Sequence, residues 1–393
     1  MNKILSKIAL GSMVILLAAS CSKEGCTDPN ASNYDANAGT TNNDLCEYNY
    51  DVPSTYAFTD ADGNNTVSYG GQTARMDMLS EMVTYLKSAN GSNATPATLD
   101  ASTLLAMYDN SYTGWTDQSL VGNGKQLKSK TALADAGIQA MFEAWMSTAA
   151  SSSPSNTTSY LQSSTGLEWT QMIEKGLMGA CFASQMTSNY LAGIEADDNE
   201  TAVDADNGKF YTEMEHHWDE GYGYLYGLQP DQGVYDLDVT NGDVLLYKYY
   251  AKSNFSDIQA PIYDSFKMGR EAITMDASNG GTNIYSDVKM REATIIKNHI
   301  SHIIGQKAYD YLKGAADHLD AGVERNGDFF HGLSEGVGFV VSLQFTYNDG
   351  APHFTYSEVN SMLEILSSGD GLWDVTSSEL NQMANDIQAS FNL

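Results

Sequence analysis

A nine-residue pattern, His-x-x-x-Glu-Gly-x-Gly-aromatic, occurs twice in this chain, from His216 to Tyr224 and from His331 to Phe339. A match of this kind in two well-separated places points to an internally duplicated fold, a tandem pair rather than a solenoid. On a helix, a His and a Glu four residues apart share one face. Two glycines inside a helix each cost about 1 kcal/mol relative to alanine, so they need a reason. The reason expected is a neighbouring backbone too close for a side chain. Each copy is therefore read as a helix packed tightly on a partner, with its His and Glu turned inward.

The rest of the chain supports an all-α fold of two such halves. With 393 residues, 42% of them hydrophobic, it can build two core-forming units. Met76, Leu79, Met82, Val83 and Leu86 follow helical spacing, as do Ala134, Ile138, Met141, Phe142 and Trp145. A third helix is expected from about Glu168 to Leu191. In the second half, helices are expected over 256–275, 288–320, 357–366 and 377–391. The alternation around Asp60–Asn64, between Tyr56 and Tyr69, predicts a short β-hairpin.

The N-terminus reads as an export signal. Lys3 and Lys7 precede an apolar run from Ile8 to Ala19, too short for an ordinary membrane span. Leu17-Ala18-Ala19-Ser20-Cys21 resembles a lipobox, so Cys21 is expected to carry lipid and tie the mature protein to a bacterial membrane. Export permits disulfides, and Cys26 and Cys46 share one short polar segment, so they are expected to pair. Cys181, among Leu177, Met178 and Phe182, is expected to be a buried thiol. Expected boundaries are a signal peptide over 1–20, a stapled stalk over 21–50, an extended segment and first bundle over 51–235, and a second bundle over 236–393.

The formal net charge is −30, from 50 acids and 20 bases. Such a surface repels nucleic acid and anionic lipid, and otherwise speaks to solubility. Nucleic acid is not expected as a partner.

Several segments carry resemblances. Gly25-Cys26-Thr27-Asp28-Pro29-Asn30 through Cys46, with Asn33-Tyr34, resembles short units beside the anchoring regions of Bacteroidetes surface proteins. Its Asp and Asn side chains are candidate calcium ligands, though the same residues also build turns. Gly71-Gln72-Thr73-Ala74-Arg75-Met76, Glu174-Lys175-Gly176-Leu177, Lys267-Met268-Gly269-Arg270-Glu271 and His331-Gly332-Leu333-Ser334-Glu335-Gly336 resemble a Bacteroidetes lipoprotein family known only as a domain of unknown function. The chain is more distantly similar to imelysins, exported two-bundle helical proteins linked to iron uptake, whose hallmark is Gly-x-His-x-x-Glu. His217-Trp218-Asp219-Glu220 supplies the second part, but Glu215 stands in place of the Gly. That similarity selects His217 as the partner of Glu220, whereas the internal repeat selects His216.

His216 or His217, Glu220, His331 and Glu335 are the candidate metal ligands. Imidazole with carboxylate suits iron, zinc or manganese. The competing reading is that each Glu pairs with a His or a backbone donor across a tight helix crossing. His299 and His302, three apart on a helix, could share a metal but have no acid beside them and read rather as a plain helix-surface pair, and His318 and His353 stand singly. The acidic run Asp197, Asp198, Glu200, Asp204 and Asp206 lacks the Gly and terminal Glu of an EF-hand and reads as a solvated loop. Phosphate-loop and nucleophile-elbow patterns are missing, and so is the helical His-Glu-x-x-His zinc pattern, so no enzyme is expected. The functional expectation is a lipid-anchored outer-membrane or cell-surface protein that binds a ligand. The first candidate ligand is a metal such as iron in support of uptake, with an outer-membrane transporter as a possible partner. The alternative is a non-metal binding or adhesion protein with structural His/Glu pairs.

Overall fold

The computed structural model describes residues 23–29, 31–42, 45–48, 51–229 and 245–393. The signal peptide and Cys21 lie outside the described residues, as does the expected boundary between residues 235 and 236. Two units are present, 1–51 and 52–393.

In the first unit, Cys26 and Cys46 form the expected disulfide. Strands β1 (Glu24–Gly25) and β2 (Thr40–Thr41) pair in parallel. The acidic and amide side chains there close turns. Asn33 donates to the Leu45 carbonyl at 2.6 Å and accepts from the Glu47 N–H at 2.9 Å, while Asp35 binds Lys23 at 2.7 Å. Tyr48 donates to the buried Asp28 carboxylate.

The second unit is built from helices α1 (Gly70–Lys87), α2 (Ala101–Asp109), α3 (Ala136–Ser152), α4 (Trp169–Leu177), α5 (Glu213–Tyr226), α6 (Leu245–Tyr250), α7 (Ser256–Ser278), α8 (Ser286–Asp320), α9 (Gly327–Ser342), α10 (Tyr356–Ser367) and α11 (Ser377–Phe391). Side-chain caps set the starts of six of them. Asp100, Asp135 and Asn326 accept the first free N–H groups of α2, α3 and α9. Thr212/Glu215, Thr355/Glu358 and Thr376/Glu379 form reciprocal capping boxes on α5, α10 and α11.

Long α8 packs against α7, α9 and α11, α4 lies along α9, and α5 rests on α1 and α7. One contiguous apolar core runs through all of them, from Met76 and Phe142 to Trp218, Ile303 and Val340. Among the described residues, no helix is long and apolar enough to cross a membrane.

Two local features differ in detail from the sequence reading. The hairpin between Tyr56 and Tyr69 is a reversal with a single antiparallel bridge, Thr59 to Asn65. Asp60 holds its tip by accepting from the Asp62 and Asn64 N–H groups at 3.0 and 2.8 Å. The helix expected over 168–191 is continuous, but beyond Leu177 it widens into π-turns over Met178–Ala183 and Met186–Tyr190. The Ser342 hydroxyl donates to the Lys175 carbonyl at 2.8 Å, entering the ladder of that helix where the widening begins. Insertion of a side chain into the ladder is an established cause of such irregularity.

Candidate functional site: the paired helix joints

Both motifs lie on helices, the first on α5 and the second on α9. Each glycine pair meets a neighbour at close range. A β-carbon on Gly223 would stand 2.6 Å from the Tyr69 Cβ and 3.0 Å from the Gln72 Cβ. One on Gly338 would stand 2.6 Å from the Lys175 Cβ and 2.9 Å from the Gln171 carbonyl oxygen, and one on Gly336 would stand 2.9 Å from the Tyr311 Cβ. Real Cβ atoms do not approach so closely, which accounts for the glycines. Gly221 is less confined, with Leu191 3.3 Å away.

The two joints correspond. In the first, His216 places Nδ1 2.9 Å from the Ser68 carbonyl, next to Tyr69, the residue immediately before α1. In the second, His331 places Nδ1 2.6 Å from Oε2 of Glu168, the residue immediately before α4. Each imidazole stacks on a tyrosine, His216 on Tyr211 at 4.6 Å and His331 on Tyr160 at 4.5 Å. Each motif Glu then faces the partner helix. Glu220 accepts from Gln72 Nε2 at 2.7 Å, and Glu335 lies 3.5 Å from Lys175 Nζ and accepts from the Tyr249 hydroxyl at 3.3 Å.

The five residues expected to bind metal are thus divided. His216 Nε2 and Glu220 Oε1 come within 3.8 Å of one another. His217 turns to Asp197, 2.8 Å away, while His331 and Glu335 are each held by residues of or beside α4. Among the described residues, no group of three or more His, Cys, Asp or Glu side chains is placed to hold a metal ion.

Electrostatics differ between the copies. Burial holds the His216 imidazole below its usual pKa, with Glu220 opposing. The hydrogen bond to Glu168 raises that of His331. Lys175, 2% exposed, spans Glu174 at 2.9 Å and Glu335 at 3.5 Å. On the first copy, Arg270 of α7 is fully buried between Glu215 at 2.7 Å and Asp219 at 2.9 Å, and donates to the Thr66 hydroxyl at 2.9 Å. Asp219 also accepts from the Tyr56 hydroxyl at 2.7 Å and the Ser68 N–H at 2.9 Å. This network fastens the extended segment before α1 onto α5 and α7.

Sequence reasoning met Gln72, Lys175 and Arg270 only inside the family-like segments and Glu168 only as a helix start, and gave none of them a role at the joints. A signal existed for Arg270, which falls on the apolar stripe of Ile262, Phe266 and Ile273, where a cation must be paired. Cys181 is buried, as expected, and its thiol is pushed up to about 12 by burial.

A helical protein whose core is crossed by two matching His/Glu-Gly joints is the class that these features define. The chain belongs to the family described as a domain of unknown function (DUF4856), whose model matches residues 53–141 and 142–393. No curated protein and no solved structure matches it.

Proposed function

We propose that this is a lipid-anchored, non-enzymatic binding protein of the bacterial outer membrane or cell surface, that it takes an organic ligand, and that its two motifs are structural joints. The observation that carries the reading of the joints is Lys175. Its buried amine, 2.9 Å from Glu174 and 3.5 Å from Glu335, already holds the place beside these carboxylates that a metal cation would need. In the other joint, Gln72 donates to Glu220 and Nδ1 of His216 is taken by the Ser68 carbonyl. Anchoring rests on the leader and Cys21, and a place among Bacteroidetes lipoproteins rests on the quoted segments.

A second reading keeps the distant imelysin likeness and assigns metal capture, with iron first, to His216 and Glu220, whose donor atoms are 3.8 Å apart. Elemental analysis separates the two. The purified protein is loaded with iron, zinc or manganese, desalted, and compared with Glu220→Ala and Glu335→Ala variants that remain helical. Metal no higher in wild type than in the variants supports structural joints. Near-stoichiometric metal in wild type that is lost in Glu220→Ala would overturn that reading in favour of capture.

A further inference from the structure

Three of the seven histidines, none of them in the motifs, line one cavity of about 430 Å3. His299 and His302 come from α8, with Asn298 beside them. His353, Asn348 and Asp349 come from the loop between α9 and α10, and Asp257 from the first turn of α7. Ile258 and Phe391 supply apolar wall. We propose that this cavity binds a small polyhydroxylated ligand, about the size of one sugar ring.

The first support is that the polar groups are uncommitted. The side chains of His299, His302, Asp257 and Asp349 make no hydrogen bond or ion pair with the described residues, whereas every motif histidine is engaged. His353 is instead fixed in place, with Nδ1 3.1 Å from Ser390 Oγ and its ring stacked on Phe391 at 3.7 Å. His299 and His302 are part-buried, so without protein partners they are available to a ligand, while Asp257 and Asp349 line the cavity at its exposed edge.

The second support is the kind of donor and acceptor present. Burial holds all three imidazoles below their usual pKa, so near neutral pH each is an uncharged ring with one donor and one acceptor nitrogen. The two carboxylates accept, and the two carboxamides do both. A hydroxyl is likewise donor and acceptor and matches this mixture. No lysine or arginine lines the cavity, and the two carboxylates oppose an anionic ligand.

The third support is spacing. These groups line one open cleft, and no three His, Cys, Asp or Glu side chains among the described residues are placed to hold one ion. The volume of the cleft lies within the range of small-molecule sites, roughly 300–1,000 Å3. Hydroxyls distributed round a ring reach such a wall, and the C–H faces of the ring suit Ile258.

The proposal rests on the reading that the protein takes an organic ligand. The test is titration of the purified protein with glucose, mannose, galactose, N-acetylglucosamine and myo-inositol, followed by saturation-transfer NMR and calorimetry. At least one is expected to saturate, with at least tenfold weaker binding in Asp257→Ala/Asp349→Ala. Both aspartates are exposed, so the thermal midpoint of that variant should match wild type. His302→Leu, which removes the ring nitrogens, should weaken binding likewise, while His302→Gln should recover part of it. Failure of all five probes, or equal binding by wild type and the double variant, would overturn the site. Zinc binding that requires His299 and His302, without sugar binding, would overturn it in favour of a metal centre. Retained metal at Glu220 alongside sugar binding would count against the structural reading of the joints alone.

Discussion

Gly338 of α9 and Lys175 of α4 lie so close that a β-carbon on the glycine would stand 2.6 Å from the Lys175 Cβ. The Gln171 carbonyl oxygen, at 2.9 Å, blocks escape on the same side. The two helices must separate to admit any side chain. Overpacking of this kind costs about 1–3 kcal/mol, which exceeds the gain of up to about 1 kcal/mol from replacing a helical glycine by alanine. Gly338→Ala should therefore lower stability in urea denaturation. Gly314 of α8 faces open space, so Gly314→Ala should raise it. A neutral or stabilising Gly338→Ala would show that the joint is looser than described.

Arg270 gives a larger effect. It is fully buried and meets Glu215, Asp219 and Thr66. Removing one partner of a buried ion pair strands the others and costs about 3–5 kcal/mol. Arg270→Leu is expected to lose that much and to raise hydrogen exchange at the Ser68 amide, which Asp219 holds at 2.9 Å. Stability loss with Ser68 still protected would mean that the network does not fasten the segment before α1.

These two cases mark what the sequence made legible. The motif glycines foretold a close helix crossing because a glycine in a helix is a local cost with few remedies. Helix positions followed as well: 377–391 was expected and α11 spans Ser377–Phe391, because apolar spacing is a local property. Short α2 and α6 offered too few turns for a periodic signal. The partners of the motif acids were not legible, because Gln72 and Glu220 meet across 148 residues and Ser68 and His216 across the same interval. Likewise His353 stood singly and apart from the His299/His302 pair in sequence, until the loop before α10 brought His353 and Asp349 to the wall of α8.

Cys181 should be chemically silent in the native state. Its thiol is buried, pushed up to about 12, and lies 3.8 Å from the Leu127 carbonyl. The thiolate is the reactive form. In a Cys21→Ser background with the Cys26–Cys46 bond intact, a disulfide reagent should modify no thiol in buffer and one in denaturant. Rapid modification in buffer would contradict the burial.

The two motif histidines should respond to pH with opposite signs. His331 is held above its ordinary value by Glu168. Its contribution to stability is fully present below the unfolded value of about 6.5 and fades as pH rises through the higher folded value. His216 is held below its ordinary value by burial. Its protonation therefore opposes folding, and stability is lost as pH falls from about 6.5 through the lower folded value. Measured between pH 8 and pH 5, stability should fall more steeply on acidification in His331→Gln than in wild type. In His216→Gln the fall should be shallower. The same slope in all three proteins would mean that neither imidazole senses its joint. Reversed slopes would mean that His216, not His331, carries the proton, as it would if Glu220 rather than burial governed the first joint.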